Sequence, residues 1–245
     1  MFHKCQLVPL IVTISKKKIQ MVKINFDWTL IVISSLFVLF PLFVGIVRYN
    51  VLTTSLKIIF YYIIASTLIE IVAWITIYYH QTNHWISNTL NIIEFAFLSY
   101  YFNKIFTVLK LNSLIQYFSI TILFIIILLT FIDFKNINHY NSTAYIITCF
   151  VLMTYSMIHF YELLDSLNVP KLSYYSHFWI SVGILLYFSG CFFINLFSEI
   201  VLFSNDKSIN QLWRIYYFSL IIYRIFLAIG LWFSKTPQQL NSSSK

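Results

Sequence analysis

The sequence predicts an all-α integral membrane protein, folded as a bundle of seven transmembrane helices. Hydrophobic residues make up 60% of the 245 residues and charged residues only 10%, whereas a soluble domain has about 25% charged residues. Such a chain could not cover a water-facing surface, so we expect lipid to be its solvent. The apolar runs are continuous and about 20 residues long, which is typical of spanning helices rather than of the short alternating strands of a membrane barrel.

Seven apolar runs define the helices of this bundle. They occupy residues 28–47, 58–79, 86–106, 114–132, 144–164, 177–203 and 212–233. The connections between them are short, so we expect successive helices to pack as antiparallel neighbours. Residues 26–235 are therefore predicted to form one seven-helix transmembrane domain, followed by a polar C-terminal tail at 236–245.

Residues 1–25 are predicted to be an N-terminal tail outside the bundle. Their apolar run, residues 7–14, is too short to span a bilayer, and Lys16, Lys17 and Lys18 follow it. A basic start before an apolar run resembles a signal peptide, but no small-residue cleavage site follows. Met21 is an alternative start, which would make the residues before it an upstream extension.

The distribution of Lys and Arg predicts which ends of the helices face the cytoplasm. If the chain starts at Met21, the cationic residues on one side are Lys23, Lys135, Lys207 and Arg214. Those on the other side are Arg48, Lys57, Lys104, Lys110, Lys171, Lys235 and Lys245. This excess predicts the N-terminus outside and the C-terminus inside. If residues 1–20 are present, Lys4 and Lys16 to Lys18 remove the excess, and the orientation becomes ambiguous.

The net charge of +8 does not indicate a nucleic-acid partner. The cationic residues are scattered through short loops and helix ends rather than gathered in a patch, which is typical of orientation signals in membrane proteins. The lipid bilayer is the partner that the composition predicts. The three cysteines, Cys5, Cys149 and Cys191, form no CxxC pair and are interpreted as small core residues.

Three ionisable side chains lie deep within predicted helices: Glu70 in the second, Glu94 in the third and Arg224 in the seventh. An ionised acid at the centre of a spanning helix costs about 2.5 kcal/mol or more, so we expect it to face protein, water or a cation. At about 1.5 Å per residue, both carboxylates lie roughly 18 Å from the same membrane face, and Arg224 lies roughly 14 Å from it. The sequence therefore predicts a polar centre formed by these three residues.

Two amides extend this predicted centre. Asn91 shares one helix face with Ser87 and Glu94, and Asn88 lies beside them. One interpretation is structural: Arg224 neutralises one or both carboxylates, and the amides and Tyr223 satisfy the remaining hydrogen bonds. The other interpretation is a site for a ligand, an ion or a proton, since two carboxylates against one guanidinium leave a surplus negative charge. The sequence leaves both interpretations open.

No catalytic or metal motif accompanies the polar centre. The chain has no GxSxG, HExxH, Gly-rich phosphate loop or DxxD sequence. His80 and His84 have a spacing that a metal could use on a helix, but they fall in a predicted turn with no third ligand nearby. His159, Glu162 and Asp165 are interpreted as a wet helix end. We therefore predict no metal and no cofactor, and an enzyme is a less favoured alternative.

Two stretches of the chain resemble a group of small bacterial multi-pass inner-membrane proteins of unknown function. They are WISNTLNIIEFAFLSYYF, residues 85–102, and HFWISVGILLYFSGCFF, residues 177–193. Members of that group show an acid followed by Phe in the third hydrophobic segment and Phe-Trp at the start of the sixth. The resemblance covers most of residues 26–235 and implies a location in the bacterial inner membrane. It implies no activity, substrate or catalytic residue.

These observations predict a ligand-binding or sensing membrane module with a buried polar site, which acts through a membrane protein partner. A small proton-coupled transporter is the first alternative, with Glu70 or Glu94 changing protonation during its cycle. The inverted repeats that are common in transporters are not visible in the sequence. A membrane-embedded lipid enzyme that uses the carboxylates as acid and base is the second alternative.

Overall fold

The structure is a computed structural model that describes residues 26–79, 84–106, 112–132, 141–166, 174–202 and 208–234. Within those ranges the regular structure is entirely helical, which confirms the all-α prediction. The helices are α1 Phe26–Leu36, α2 Leu39–Arg48, α3 Thr54–Tyr78, α4 His84–Ile105, α5 Asn112–Ile132, α6 Ser142–Ser166, α7 Ser176–Leu202 and α8 Ser208–Trp232, with a 3-10 turn at Tyr49–Val51. Each predicted run contains one helix, except the first, which contains both α1 and α2.

Six segments of the described chain are long and apolar enough to cross a membrane, which fits a multi-pass membrane protein. They are Thr29–Val51, Thr54–Tyr78, Ser113–Phe131, Ser142–Asp165, Ser176–Phe197 and Arg214–Trp232. The third of the seven predicted spans, residues 86–106, is not confirmed, because α4 is long enough but not apolar enough. Its sequence carries the polar residues Asn88, Asn91, Glu94, Asn103 and Lys104.

The helices form a closed ring with one helix outside it. Around the ring, α3 packs on α4, α4 on α6, α6 on α7, α7 on α8, α8 on α1 and α2, and α2 on α3. The outer helix, α5, packs on α4 and α6 and exposes large apolar side chains such as Tyr117, Phe124 and Phe131. This arrangement gives α4 a face covered by α5 and another that faces the ring interior. The polar composition of α4 is therefore compatible with a place inside the bundle.

The first predicted helix is broken in two near a proline. α1 ends at Leu36, α2 begins at Leu39, and Pro41 lies in the first turn of α2. Proline has no N–H, and its ring clashes with the carbonyl four residues earlier, which here belongs to Phe37. That carbonyl instead accepts the N–H of Phe40 at 3.1 Å. This hydrogen bond joins residues three apart, as in a 3-10 turn, rather than four apart as in an α-helix. The break is therefore encoded by the proline.

The break changes the bonding of the carbonyls just before it. The N–H of Val38 would donate to the Ser34 carbonyl in a regular α-helix. It donates instead to the Ser35 carbonyl, at 3.2 Å. The Ser34 carbonyl is thereby released from the helix ladder and is available to a donor from another helix.

α7 and α8 approach each other closely at two glycines. A Cβ added at Gly183 would lie 2.7 Å from the Cβ of Phe226, and one added at Gly230 would lie 2.5 Å from Cγ1 of Ile180. Small residues at helix interfaces let backbones come near enough for extensive packing in a membrane. The contact fixes α8, and with it Arg224, against the rest of the ring.

α4, α6 and α7 share a close-packed core, here called the aromatic core. The Phe102 ring stacks 5.8 Å from that of Phe106 and meets the Tyr155 ring edge-on at 5.9 Å. The residues of these three helices with no exposed surface include Phe95, Leu98, Tyr101, Phe102, Cys149, Leu152, Ile180, Ile184, Phe188 and Cys191. Both described cysteines therefore belong to the core, as the sequence predicts.

Candidate functional site

A cavity of about 170 Å³ lies inside the ring, on the opposite side of α4 from α5. α1, α2, α3, α4, α7 and α8 all contribute to its wall. Its charged residues are Glu70 of α3, Glu94 of α4 and Arg224 of α8. Its aromatic residues are Tyr62, Trp74, Tyr187, Tyr216, Tyr217 and Tyr223. Three residues predicted from the sequence as the polar centre therefore face one common space.

Arg224 links three helices at the cavity. Its Nη2 donates to both carboxylate oxygens of Glu70, at 3.1 and 2.8 Å. Its Nη1 donates to the carbonyl oxygen of Ser34, and to that of Ser35 at 3.3 Å. The side chain of Arg224 is 9% exposed and that of Glu70 is 22% exposed. Charge-assisted hydrogen bonds at this depth are strong, so the guanidinium holds α1, α3 and α8 together.

The helix break and the arginine fit one another. Arg224 occupies the Ser34 carbonyl that the break near Pro41 releases from the ladder. A buried carbonyl without a donor costs free energy comparable to a lost hydrogen bond. Each feature thus compensates for the other: the arginine satisfies the carbonyl, and the carbonyl satisfies a guanidinium N–H that Glu70 does not reach.

Glu94, on α4, has a different environment in the cavity wall. Its residue is 3% exposed. Its Oε1 accepts a hydrogen bond from the Tyr62 hydroxyl at 2.8 Å, and its Oε2 accepts a longer one from the Tyr145 hydroxyl at 3.4 Å. The hydroxyl of Tyr62 also interacts electrostatically with that of the neighbouring Tyr223. The donors to Glu94 in the described part of the chain are therefore neutral phenols.

The charges in the cavity wall do not balance. Glu70 and Arg224 neutralise one another in a bidentate pair. Among the residues that the structure describes, Arg224 is the one cationic residue in the wall of the cavity, and Glu94 is not hydrogen-bonded to it. Burial of an ionised carboxylate that no cation contacts is costly, so Glu94 is the group of the wall that a proton or a cation would stabilise.

The two amides predicted for the centre are placed elsewhere. The Oδ1 of Asn88 accepts the backbone N–H of Asn141 at 3.3 Å, and Asn141 in turn caps α6 by accepting the N–H of Ala144 at 2.9 Å. Asn91 is buried, 1% exposed, and its Oδ1 has no hydrogen-bond donor among the described residues. Neither amide lines the cavity, so the structure does not bring them to Glu70, Glu94 and Arg224.

Of the tyrosines in the cavity wall, the sequence interpretation included Tyr223 and missed the others. Tyr62 precedes Ser66 by one helical turn and Glu70 by two along one face of α3, and Tyr216 lies two turns before Arg224 on α8. That spacing was the available signal. The whole chain contains 18 Tyr and 25 Phe residues, so tyrosines at this spacing do not stand out from the other aromatic residues.

A second polar cluster lies within the aromatic core and not on the cavity. Nδ1 of His159 is hydrogen-bonded to the Ser181 hydroxyl at 2.9 Å, and Nδ1 of His177 to the Tyr101 hydroxyl at 2.9 Å. His159 is 2% exposed and Glu162 is 6% exposed. The prediction of a wet helix end is therefore wrong for these two residues, because α7 packs over the end of α6 and covers them.

The histidines form no metal site in the described ranges, where no group of three or more His, Cys, Asp and Glu side chains is placed to hold an ion. His84 is buried at the start of α4. Its predicted partner in the HQTNH spacing, His80, lies outside the described residues. The N-terminal tail and the alternative start at Met21 also lie outside them.

Comparison of the chain with protein-family models, with curated proteins and with solved structures finds no match. The resemblance to small bacterial inner-membrane proteins, and the location and orientation predicted with it, therefore stay predictions. The function has to be inferred from the geometry of the cavity itself.

Proposed function

We propose that this protein is a ligand-binding or sensing membrane module whose site is the cavity between Glu70, Glu94 and Arg224. The observation that carries the proposal is the position of Glu94. It lies on the cavity wall, is 3% exposed, and accepts hydrogen bonds from phenols and not from a cation. Ionisable residues within a membrane bundle are functional-site candidates by default.

A purely structural role accounts for only part of this arrangement. It explains Glu70, because the bidentate contact with Arg224 neutralises that carboxylate and ties α3 to α8. It does not explain why a second carboxylate faces an open volume rather than packed side chains. Mostly apolar concave spaces with a few converging polar groups are where ligands bind in proteins. The cavity has this composition, with aromatic walls and three charged side chains.

A sensing role requires that occupancy of the cavity changes a surface that another protein can contact. Six helical segments around the cavity contribute to its wall, so a ligand there touches most of the ring. The connections between the described helices are short, which leaves the membrane-facing helix surfaces as the place for a membrane protein partner. A shift of α1 or α8 around Arg224 is the simplest way for the site to reach such a partner.

Proton-coupled transport is the second candidate, and one observation favours it. Glu94 is held by two hydroxyls that can donate to its ionised form or reorient when it is protonated. A transporter of this kind predicts proteoliposome uptake that is lost in Glu94→Gln while folding survives. Uptake unchanged in that variant would reject proton coupling through Glu94.

The proposal is tested by native mass spectrometry of the protein released gently from its own membrane. We expect a bound small molecule on the wild-type protein and its loss in Glu94→Gln. Glu162→Gln is the matched control, because it neutralises a buried carboxylate of α6 that does not line the cavity. An empty protein in all three samples would leave the Glu70–Arg224 contact as a structural bridge and would contradict the proposal.

A further inference from the structure

We infer that the ligand of the cavity is a small organic ammonium cation, held by the Glu94 carboxylate and by the aromatic wall. The inference rests on the proposed function and adds the chemical class of the ligand. It uses three properties of the cavity: its charge, its aromatic lining and its size.

The charge of the wall favours a positive ligand over a negative one. Both carboxylate oxygens of Glu70 accept hydrogen bonds from Arg224, so this pair has no net charge that could attract a ligand. Glu94 is the remaining charged group and is bonded to neutral phenols, Tyr62 and Tyr145. A monovalent cation would cancel the one surplus charge. An anionic ligand would instead have to break the Glu70–Arg224 pair. Arg224 also donates a hydrogen bond to the Ser34 carbonyl, so that contact would be disturbed as well.

The aromatic lining favours an ammonium group over a bare metal ion. Six aromatic side chains line the cavity, among them Trp74 and the stacked pair Tyr187 and Tyr223, whose ring centroids lie 4.7 Å apart. Aromatic faces attract organic ammonium groups, and cages of such residues recognise quaternary ammonium ligands. Hard metal cations need six to eight oxygen ligands for Ca²⁺ or a near-ideal octahedron for Mg²⁺. The described residues hold no metal-ligand group of that kind.

The size of the cavity limits the ligand to a few heavy atoms. Its volume of about 170 Å³ is close to that of an engineered cavity of about 150 Å³ that accepts benzene. A ligand with about six to ten heavy atoms fills such a space. Choline has this size and carries a permanent charge that no change of pH removes, so it separates binding of an organic cation from binding of a proton.

The test is isothermal titration calorimetry of the wild-type protein in lipid nanodiscs. The probes are choline and its neutral isostere 3,3-dimethylbutan-1-ol, which differ in charge and hardly in shape. We expect choline to bind about tenfold or more tightly than the isostere. Glu94→Gln should reduce the affinity for choline to that for the isostere, whereas Glu162→Gln should leave both affinities unchanged.

The outcomes separate this inference from the proposed function. Equal binding of the two probes would overturn the inference and leave a site for a neutral ligand. No binding of either probe, with an endogenous ligand present in native mass spectrometry, would likewise overturn the inference and keep the proposed function. No binding and no endogenous ligand would overturn both. The comparison of probes needs the wild-type protein alone, so it holds even if Glu94→Gln does not fold.

Discussion

The cavity wall and the aromatic core both bury polar side chains, yet they do so in different ways. In the core, His159 bonds Ser181 and His177 bonds Tyr101, and the pairs are surrounded by rings such as Phe102. In the cavity wall, carboxylates and a guanidinium face an open volume of about 170 Å³. The core combines histidine, serine and tyrosine, which can all be neutral, whereas the wall concentrates charge.

This difference separates structural polar groups from candidate functional ones. A hydrogen-bonded pair enclosed by packed rings fixes one helix against another and has no room for a further partner. A buried carboxylate beside an open volume has such room and lacks a cation of its own. The position of a buried polar residue relative to free volume, rather than its burial alone, therefore indicates where a ligand binds.

The largest expected effect is on the arginine of the cavity wall. Arg224→Ala strands the buried Glu70 carboxylate and the Ser34 carbonyl, and we expect a loss of about 3–5 kcal/mol in the free energy of unfolding. Arg224→Lys keeps the charge but has a single nitrogen, so it cannot contact Glu70 and the Ser34 carbonyl at once as Nη2 and Nη1 do, and its loss should be intermediate. Thermal unfolding in a fixed detergent measures both variants. Melting of Arg224→Ala at the wild-type temperature would mean that the pair does not hold the helices together.

A matched pair of tyrosines sharpens the comparison between the two regions. Tyr62→Phe removes a donor to the Glu94 carboxylate, and Tyr101→Phe removes the partner of His177 in the core. Hydrogen bonds to charged groups contribute about 1.5–3 kcal/mol and neutral ones about 0.5–1.5 kcal/mol. We therefore expect Tyr62→Phe to be the more destabilising variant and the only one of the two that alters choline binding.

Denaturant unfolding measures the stability of the two variants, and calorimetry on the same preparations measures their affinity for choline. Equal losses of stability would indicate that Glu94 is neutral in the resting protein. A change of choline binding in Tyr101→Phe as well would mean that the two regions are coupled, and the distinction between them would fail.

The smallest expected effect is at the helix break. Pro41→Ala restores a backbone N–H to α2. The free energy of unfolding should change by no more than about 1 kcal/mol, because the helix break already accommodates the missing N–H and the ring of the proline. The Ser34 carbonyl then competes for the N–H of Val38, which should become more protected in amide hydrogen exchange. Unchanged protection at Val38 would show that Arg224, and not the proline, maintains the break.

The sequence was sufficient for the helices and for part of the site. Apolar runs predicted where the described helices lie, with α1 and α2 as one segment, and the depth of Glu70, Glu94 and Arg224 predicted that they face one space. The break between α1 and α2 was not predicted, although Pro41 marks it, because the run of apolar residues continues through it. Asn91 was assigned to the centre by helical phase and Asn88 as its neighbour on the same helix, yet neither lines the cavity, and Asn88 accepts a hydrogen bond from the residue that caps α6.

The remaining misses have a common physical cause. α4 was predicted as one of the seven spans from its length, yet its polar residues lower its hydropathy. Its place in the bundle follows from the cover that α5 provides. The free volume beside Glu94 depends on how six helical segments pack against each other. Such packing depends on side-chain shape across the whole ring, which local patterns in a sequence do not encode.

The central claim is that the cavity wall is reachable and the aromatic core is closed, and cysteine accessibility tests it most directly. Ser66→Cys places a thiol on the wall, and Ser181→Cys places one in the core. Both substitutions are made in a Cys5→Ser background, which removes the cysteine outside the described residues; with Cys149 and Cys191 both buried, that background gives the baseline. We expect a small cationic methanethiosulfonate reagent to modify Ser66→Cys well above that baseline, choline to slow the reaction, and Ser181→Cys to stay at the baseline. Modification of both variants at one rate, with no protection by choline, would contradict the claim.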